Sequence, residues 1–271
     1  LAVVPYHTTV DPEAWHMQEV LDQTVRDDAQ AYINGLFGGA NTSIGAGLAE
    51  AAKERADSPT TNSLCSFVLL SDGMENTAPM WADVEADVLL TGCPVTTIAF
   101  GPESDETLMQ DIATATGGLY FYNDVYVSTR DTDGRAPPSE EDANLDLANT
   151  YEYAEGFSEG RQRLLAEKGV VTRAQPDRRH IVLIDETVKE AIFSLDWFST
   201  AYALLHLTLE HLESGKIYDL SDPGYSFADP TNLHVGFRLS GDDLMPGTWI
   251  LNVHREQAEL DAIQWQAPQH R

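Results

Sequence analysis

The sequence predicts an α/β domain built on a parallel sheet, followed by a smaller all-β domain of sandwich type. In the first 122 residues, apolar runs of strand length alternate with amphipathic stretches of helix length. Strands that alternate with helices in this way build parallel sheets covered on both faces. From residue 180 onward, short apolar or alternating runs are separated by Gly- and Pro-containing turns, the texture of an antiparallel sandwich. Over 271 residues the chain is 42% hydrophobic and 9% aromatic, enough to bury a core, so its acidity is not a mark of disorder.

Taken in order, residues 1–6 form a short apolar run expected to be a buried strand. Asp11-Pro12 is a helix-start signal with proline at the first helical position. Leu21, Val25, Ala29, Ile33 and Leu36 then recur at helical spacing, and Gly38-Gly39 stops that helix. Asn41-Thr42-Ser43 leads into an Ala-rich helix, with Thr42 or Ser43 as its N-cap. Strands are expected at 66–71, 94–100 and 119–122, and helices at 81–90 and 105–116, the last stopped by Gly117-Gly118. The alternation breaks near residue 128. A polar, proline-bearing linker follows at 130–142, then a helix over 145–168 with Leu147, Tyr151, Ala154, Phe157 and Leu164-Leu165 on one side. Sandwich strands are expected at 181–184, 191–197, 203–209, 234–239 and 248–253. The division is therefore 1–128 for the α/β domain, 129–175 for linker and helix, 176–256 for the sandwich and 257–271 for a polar tail.

Net charge is −28, from 44 acidic and 16 basic residues. Such a surface repels nucleic-acid phosphates and anionic lipid, so neither is expected as a partner. It suits divalent cations or basic protein surfaces; a saline habitat that screens self-repulsion accounts for the same number without any binding role. No run of about 18 apolar residues occurs, so no membrane span is expected. Residues 1–10 lack a basic stretch followed by an apolar core, so no signal peptide is expected and the chain is expected to be processed or to start at an internal point. Cys65 and Cys93 each precede an apolar run, which puts both at the same end of the sheet if those runs are neighbouring parallel strands. Two readings stay open: a disulfide, contributing about 3–4 kcal/mol in the chain-entropy model, or two unpaired, half-buried thiols.

In a doubly wound sheet the ligand crevice lies beyond the carboxyl ends of the strands. Asp72 stands at one such end, in Ser71-Asp72-Gly73-Met74-Glu75-Asn76, and Thr42 lies in a loop entering a helix. A hydroxyl and a carboxylate converging there form an oxygen-rich site suited to Mg²⁺ or Ca²⁺; Mg²⁺ keeps several waters and needs only one or two carboxylates. Asn41, Ser43, Glu75 and Asn76 are the candidate rim. The plainer alternatives are that Asp72 caps its own turn and that Glu75 and Asn76 are solvated loop positions. Asn41-Thr42-Ser43 also fits a glycosylation sequon, discounted because it falls inside the proposed site.

No enzyme signature in the sequence has the local structure it requires. His206-Leu207-Thr208-Leu209-Glu210-His211 has one residue too many for the inverted zincin motif and sits in a strand-like stretch. Gly156-Phe157-Ser158-Glu159-Gly160 fits a nucleophile-elbow pattern but lies within an expected helix, where an elbow needs a strand-to-helix turn. No phosphate-binding loop, dinucleotide fingerprint or Cys-x-x-Cys pair occurs. No enzyme is expected.

Three blocks together resemble von Willebrand factor A (vWA) domains: Gly39-Ala40-Asn41-Thr42-Ser43-Ile44-Gly45-Ala46-Gly47-Leu48, Val68-Leu69-Leu70-Ser71-Asp72-Gly73, and Thr97-Ile98-Ala99-Phe100-Gly101. They look closest to those of the calcium-activated chloride channel regulator family and its bacterial relatives. Gly117-Gly118-Leu119-Tyr120-Phe121-Tyr122 is similar to the strand that closes such a domain. Ile181-Val182-Leu183-Ile184-Asp185-Glu186-Thr187-Val188, Phe193-Ser194-Leu195-Asp196-Trp197 and Pro246-Gly247-Thr248-Trp249 are similar to the β-sandwich that follows it. The resemblance implies a Rossmann-like vWA fold, with Thr42 and Asp72 in a metal-ion-dependent adhesion site. The family's first metal motif, D-x-S-x-S, is not found, so the first strand is expected to come from a preceding segment or from another chain. The expected function is adhesion without catalysis: Mg²⁺ or Ca²⁺ held by Thr42 and Asp72 and completed by an acidic side chain of a protein partner. The alternative is a metal-independent assembly subunit of a larger extracellular complex. Either implies an extracellular, cell-surface or periplasmic location.

Overall fold

The computed structural model describes residues 1–11, 14–20, 23–39, 41–58, 64–123, 140–167, 169, 171, 175–197, 205–222, 224–229 and 234–254. Pro12, Leu21, the linker at 130–139, the strand start at 203–204 and the tail at 257–271 lie outside the described residues. The chain divides into two compact units, Leu1–Gln162 and Arg163–Arg271. The first is mixed α/β with a parallel sheet, the second is antiparallel β.

In the first unit, α1 spans Gln23–Asn34 and α2 Ile44–Asp57. Three parallel strands follow, β1 (Phe67–Ser71), β2 (Val95–Phe100) and β3 (Tyr120–Asn123), in the order β1-β2-β3. They are joined by α3 (Trp81–Leu90) and α4 (Glu106–Thr116). The register pairs Phe67 with Val95, Ser71 with Ala99 and Thr97 with Tyr120. One core joins Ile44 and Leu48 of α2, Trp81, Val84 and Val88 of α3, and Met109 and Ile112 of α4 to Leu69, Val95 and Ala99 of the sheet. Successive strand residues face opposite sides, so Phe121 points away from Tyr120, which packs against that core. On the far side α5 (Glu140–Ser158) meets it, Tyr153 lying edge-on to Phe121 at 5.6 Å.

Local chemistry sets the ends of these helices. Ser43 caps α2, its Oγ accepting the Ala46 N–H at 3.3 Å, and Asp105 caps α4 by accepting from Leu108 N at 3.1 Å. Gly117 stops α4 at φ +76°, a conformation costly to residues with a β-carbon. A β-carbon on Gly118 would lie 2.1 Å from the Val95 carbonyl oxygen, so the chain can enter β3 this close to β2 only with glycine there. Cys65 and Cys93, at the amino ends of β1 and β2, are bonded, with Cα atoms 5.1 Å apart.

Three expectations are corrected. Residues 1–6 form no strand of the sheet; they make only isolated bridges, Val3 with Trp15 and Tyr6 with Val10. The first helix begins at Gln23 and not at Asp11, because Trp15 exchanges both its backbone hydrogen bonds with Val3 and holds that stretch extended. The helix expected over 145–168 ends at Ser158. Gly160, at φ +72°, turns the chain there and Arg161 N closes onto the Gly156 carbonyl, which leaves Leu164 and Leu165 exposed.

The second unit contains two antiparallel sheets. One has the order β4-β10-β6-β7, from Asp177–Ile184, Gly247–His254, His206–His211 and Lys216–Asp219. The other has the order β5-β9-β8, from Glu190–Asp196, His234–Ser240 and Ser226–Asp229. Residues of both sheets share one core: Leu207, Leu209, Tyr218 and Trp249 from the first meet Phe193, Val235, Phe237 and Leu239 from the second. Trp249 is fully buried, its ring 5.8 Å from Phe193 and its N–H donating to the Met245 carbonyl at 2.8 Å. β7 and β8 carry no signal used in the sequence reading; each is only four residues long.

Candidate functional site

The carboxyl ends of β1 and β2 open into a cleft of about 560 Å³ in the first unit. Gly39 and Thr42 form one side, Asp72, Gly73, Met74 and Asn76 from the loop after β1 the second, and residues 100–103, the last of β2 and the loop beyond it, the third. Thr42 and Asp72 thus line the same cavity, and Gly73 sits against the threonine: a β-carbon there would lie 2.8 Å from Thr42 Oγ1. Among the described residues, neither the Thr42 hydroxyl nor the Asp72 carboxylate has a hydrogen-bond partner.

The backbone around these two groups is held firmly. Thr42 N donates to Asn76 Oδ1 at 3.0 Å, and its carbonyl accepts from Asn76 N at 2.9 Å and Thr77 N at 3.2 Å. Asn41 Nδ2 donates to Thr8 Oγ1 at 3.1 Å. Ser43 is fully buried; its hydroxyl donates to the Pro79 carbonyl and its N–H to the His7 carbonyl. The Glu75 carboxylate accepts from Gly45 N at 2.8 Å and from Trp81 N at 3.0 Å. Of the four rim residues, Asn76 lines the cleft, while Ser43 and Glu75 direct their polar atoms into the protein. Tyr6 reaches the base of the same loop, donating its phenol proton to the Leu70 carbonyl at 2.5 Å. Burial pushes the Tyr6 phenol well above its ordinary range; the Ser71 hydroxyl works against this, and the charges of Asp72 and Glu75 add to it.

Glu103, exposed on the third side, is a second carboxylate that the sequence reading missed. Its only sequence signal is its place just past the carboxyl end of a strand. Among the described residues no basic side chain lines the cleft, and its charged groups are carboxylates, the ligand type a hard cation prefers. Thr42, Asp72 and Glu103 bring a hydroxyl and two carboxylates, the donor types a hard cation takes, to the lining of one cleft.

The dismissed motifs lie elsewhere. His206 and His211 sit an odd number of residues apart on β6, hence on opposite faces. Ser158 ends α5, its hydroxyl donating to the Glu155 carbonyl. Among the described residues no helix is long and apolar enough to cross a membrane.

No protein-family model matches the chain, and no curated protein does. Among solved structures, the chain is similar to a von Willebrand factor type A protein from Catenulispora acidiphila, at 15% identity and a TM-score of 0.41. That likeness covers 94% of this chain and 49% of the other, so the chain spans about half the length of that protein. It is also similar to an uncharacterized membrane spanning protein from Vibrio fischeri, at 18% identity and a TM-score of 0.25, over 57% of this chain and 75% of that one.

Proposed function

We propose that the cleft is a divalent-cation-assisted protein-binding site of the metal-ion-dependent adhesion type, carried on a vWA-like domain that precedes a β-sandwich. The observation that carries the reading is the pairing of Thr42 and Asp72, two oxygen donors without a hydrogen-bond partner among the described residues, in one cavity at the strand ends. Mg²⁺ or Ca²⁺ would be held by the Thr42 hydroxyl and the Asp72 carboxylate, with Glu103 adjacent. When bound, the ion supplies an open coordination position for an acidic side chain of a protein partner. The chain itself orients the donors through Asn76 and performs no bond chemistry. The motif blocks favour relatives of calcium-activated chloride channel regulators. The Cys65–Cys93 bond favours an extracellular, cell-surface or periplasmic setting.

Mn²⁺ titration followed by electron paramagnetic resonance tests the reading directly. Saturable binding to the wild type, lost in Asp72→Ala and displaced by Mg²⁺, is the expected result. Binding that is indifferent to Asp72→Ala, or no binding at all, overturns it.

A second reading is a metal-independent scaffold for assembly. Among the described residues β1 pairs only with β2, which leaves an edge that a strand from another segment or chain could extend. Metal-free association that survives chelation and Asp72→Ala would favour it.

A further inference from the structure

Glu75 was a candidate rim residue by sequence, yet its carboxylate is taken by backbone amides away from the cleft. It reaches across to two helix starts at once. Gly45 N in the first turn of α2 donates to Oε1 at 2.8 Å, and Trp81 N at the start of α3 donates to both oxygens at 3.0 Å. First-turn amides have no acceptor within their own helix, and the helix dipole favours an anion there. A single side chain on the loop that bears Asp72 therefore ties down the helix that carries Thr42 just ahead of it.

The packing around this link leaves no slack. A β-carbon on Gly45 would lie 2.4 Å from the Pro79 carbonyl oxygen and 2.5 Å from that of Met80, so α2 starts in backbone contact with the approach to α3. Ser43 adds a bond to Pro79 and Asp83 takes the Met80 N–H at 2.8 Å. From this we infer that Glu75 is a positioning residue that sets the separation of Thr42 from Asp72, and hence the grip of the cleft on its cation. The inference rests on the cation-binding reading of the cleft.

The test uses the full chain with Glu75→Gln and Glu75→Ala, the glutamine keeping the size of the side chain if the alanine fails to fold. Amide hydrogen exchange at Gly45 and Trp81 is expected to quicken together in both variants. Leu108, whose N–H is held by Asp105, stays at its wild-type rate as the internal control. Mn²⁺ affinity is expected to fall by about tenfold, the scale seen when a group that orients a metal ligand is removed, with Asp105→Asn as the unaffected comparison. Unchanged exchange at either amide, or faster exchange with wild-type Mn²⁺ affinity, overturns the inference. If the wild type binds no Mn²⁺, the cation reading itself fails. The role of Glu75 is then decided by the Thr42 amide resonance, which must move in Glu75→Gln for it to stand.

Discussion

The Thr42 hydroxyl oxygen lies 2.8 Å from where a β-carbon on Gly73 would sit, so the residue after Asp72 leaves room for the threonine that shares its cleft. Real β-carbons do not come that close to an oxygen, and Thr42 is half-exposed and free to turn. Gly73→Ala is therefore expected to rotate the hydroxyl out of place at a cost of about 1 kcal/mol in stability. Mn²⁺ affinity should drop with it, and Thr42→Val should reproduce that drop at constant shape. Wild-type affinity in both variants would remove Thr42 from the ligand set.

Glu103 lines the cleft with Asp72 but comes from the loop after β2. Glu103→Gln is expected to weaken Mn²⁺ binding by about tenfold, less than Asp72→Asn does, because the exposed carboxylate adds charge at the rim. Urea unfolding of the metal-free protein should be unchanged. Equal losses in the two variants would make Glu103 a direct ligand.

Glu54, buried on α2, accepts from Met17 N at 2.7 Å and pairs with His16 at 2.5 Å. Burial alone would raise its carboxyl; the bonds from His16 and Met17 outweigh this and hold it below the ordinary value of 4.5. A depressed folded value means its stabilising contribution is complete above the unfolded value and is lost as pH falls through the lower, folded one. Glu54→Gln should cost about 1–3 kcal/mol at neutral pH, and the gap between variant and wild type should close in urea melts below pH 4.5. A gap independent of pH would mean the side chain acts by packing alone.

The Cys65–Cys93 bond closes a loop across a separation of 28 residues at the amino ends of β1 and β2, the end of the sheet opposite the cleft. Replacing both with serine should lower stability by about 3–4 kcal/mol, and reduction of the wild type should do the same in thermal melts. Mn²⁺ affinity should hold while the protein remains folded. A selective loss of affinity would show that the strand ends are coupled along their length.

Trp249 fills the centre of the second unit, fully buried with its N–H bonded to Met245. Trp249→Phe leaves the Met245 carbonyl without that donor and a gap beside Phe193. A loss of about 2–4 kcal/mol is expected by chemical denaturation. A change under 1 kcal/mol would mean the unit relaxes around the smaller ring.

Periodicity and caps made much of the architecture legible. The helix expected at about 81–90 spans Trp81–Leu90, and α4 is bounded by the Asp105 carboxylate cap and by Gly117, whose missing β-carbon permits the left-handed turn. Five strands of the second unit are visible because apolar runs sit between strong turn signals. Lys216–Asp219 and Ser226–Asp229 escape because neither has more than two adjacent apolar residues, whereas the equally short β3 follows a Gly-Gly stop with a run of four, Leu119–Tyr122. The first segment misleads for a different reason. Its apolar residues suit a strand, but a strand exists only if a neighbour accepts its backbone, and Val3 and Tyr6 pair locally with Trp15 and Val10.

By itself the sequence determined which residues could bear oxygen donors, and offered Asp72, at a strand end, and Thr42, in a loop entering a helix, as candidates to share a crevice. Only the tertiary structure decided which of those oxygens are spent on bonds within the fold. Ser43 and Glu75 are as polar as Thr42 and Asp72, yet their groups are taken by the Pro79 carbonyl and by the amides of two helix starts. The physical reason is that a buried helix end must find partners for its orphan amides. Which nearby side chain meets that demand depends on how α2 and α3 pack, a contact between segments some 36 residues apart that no local pattern encodes.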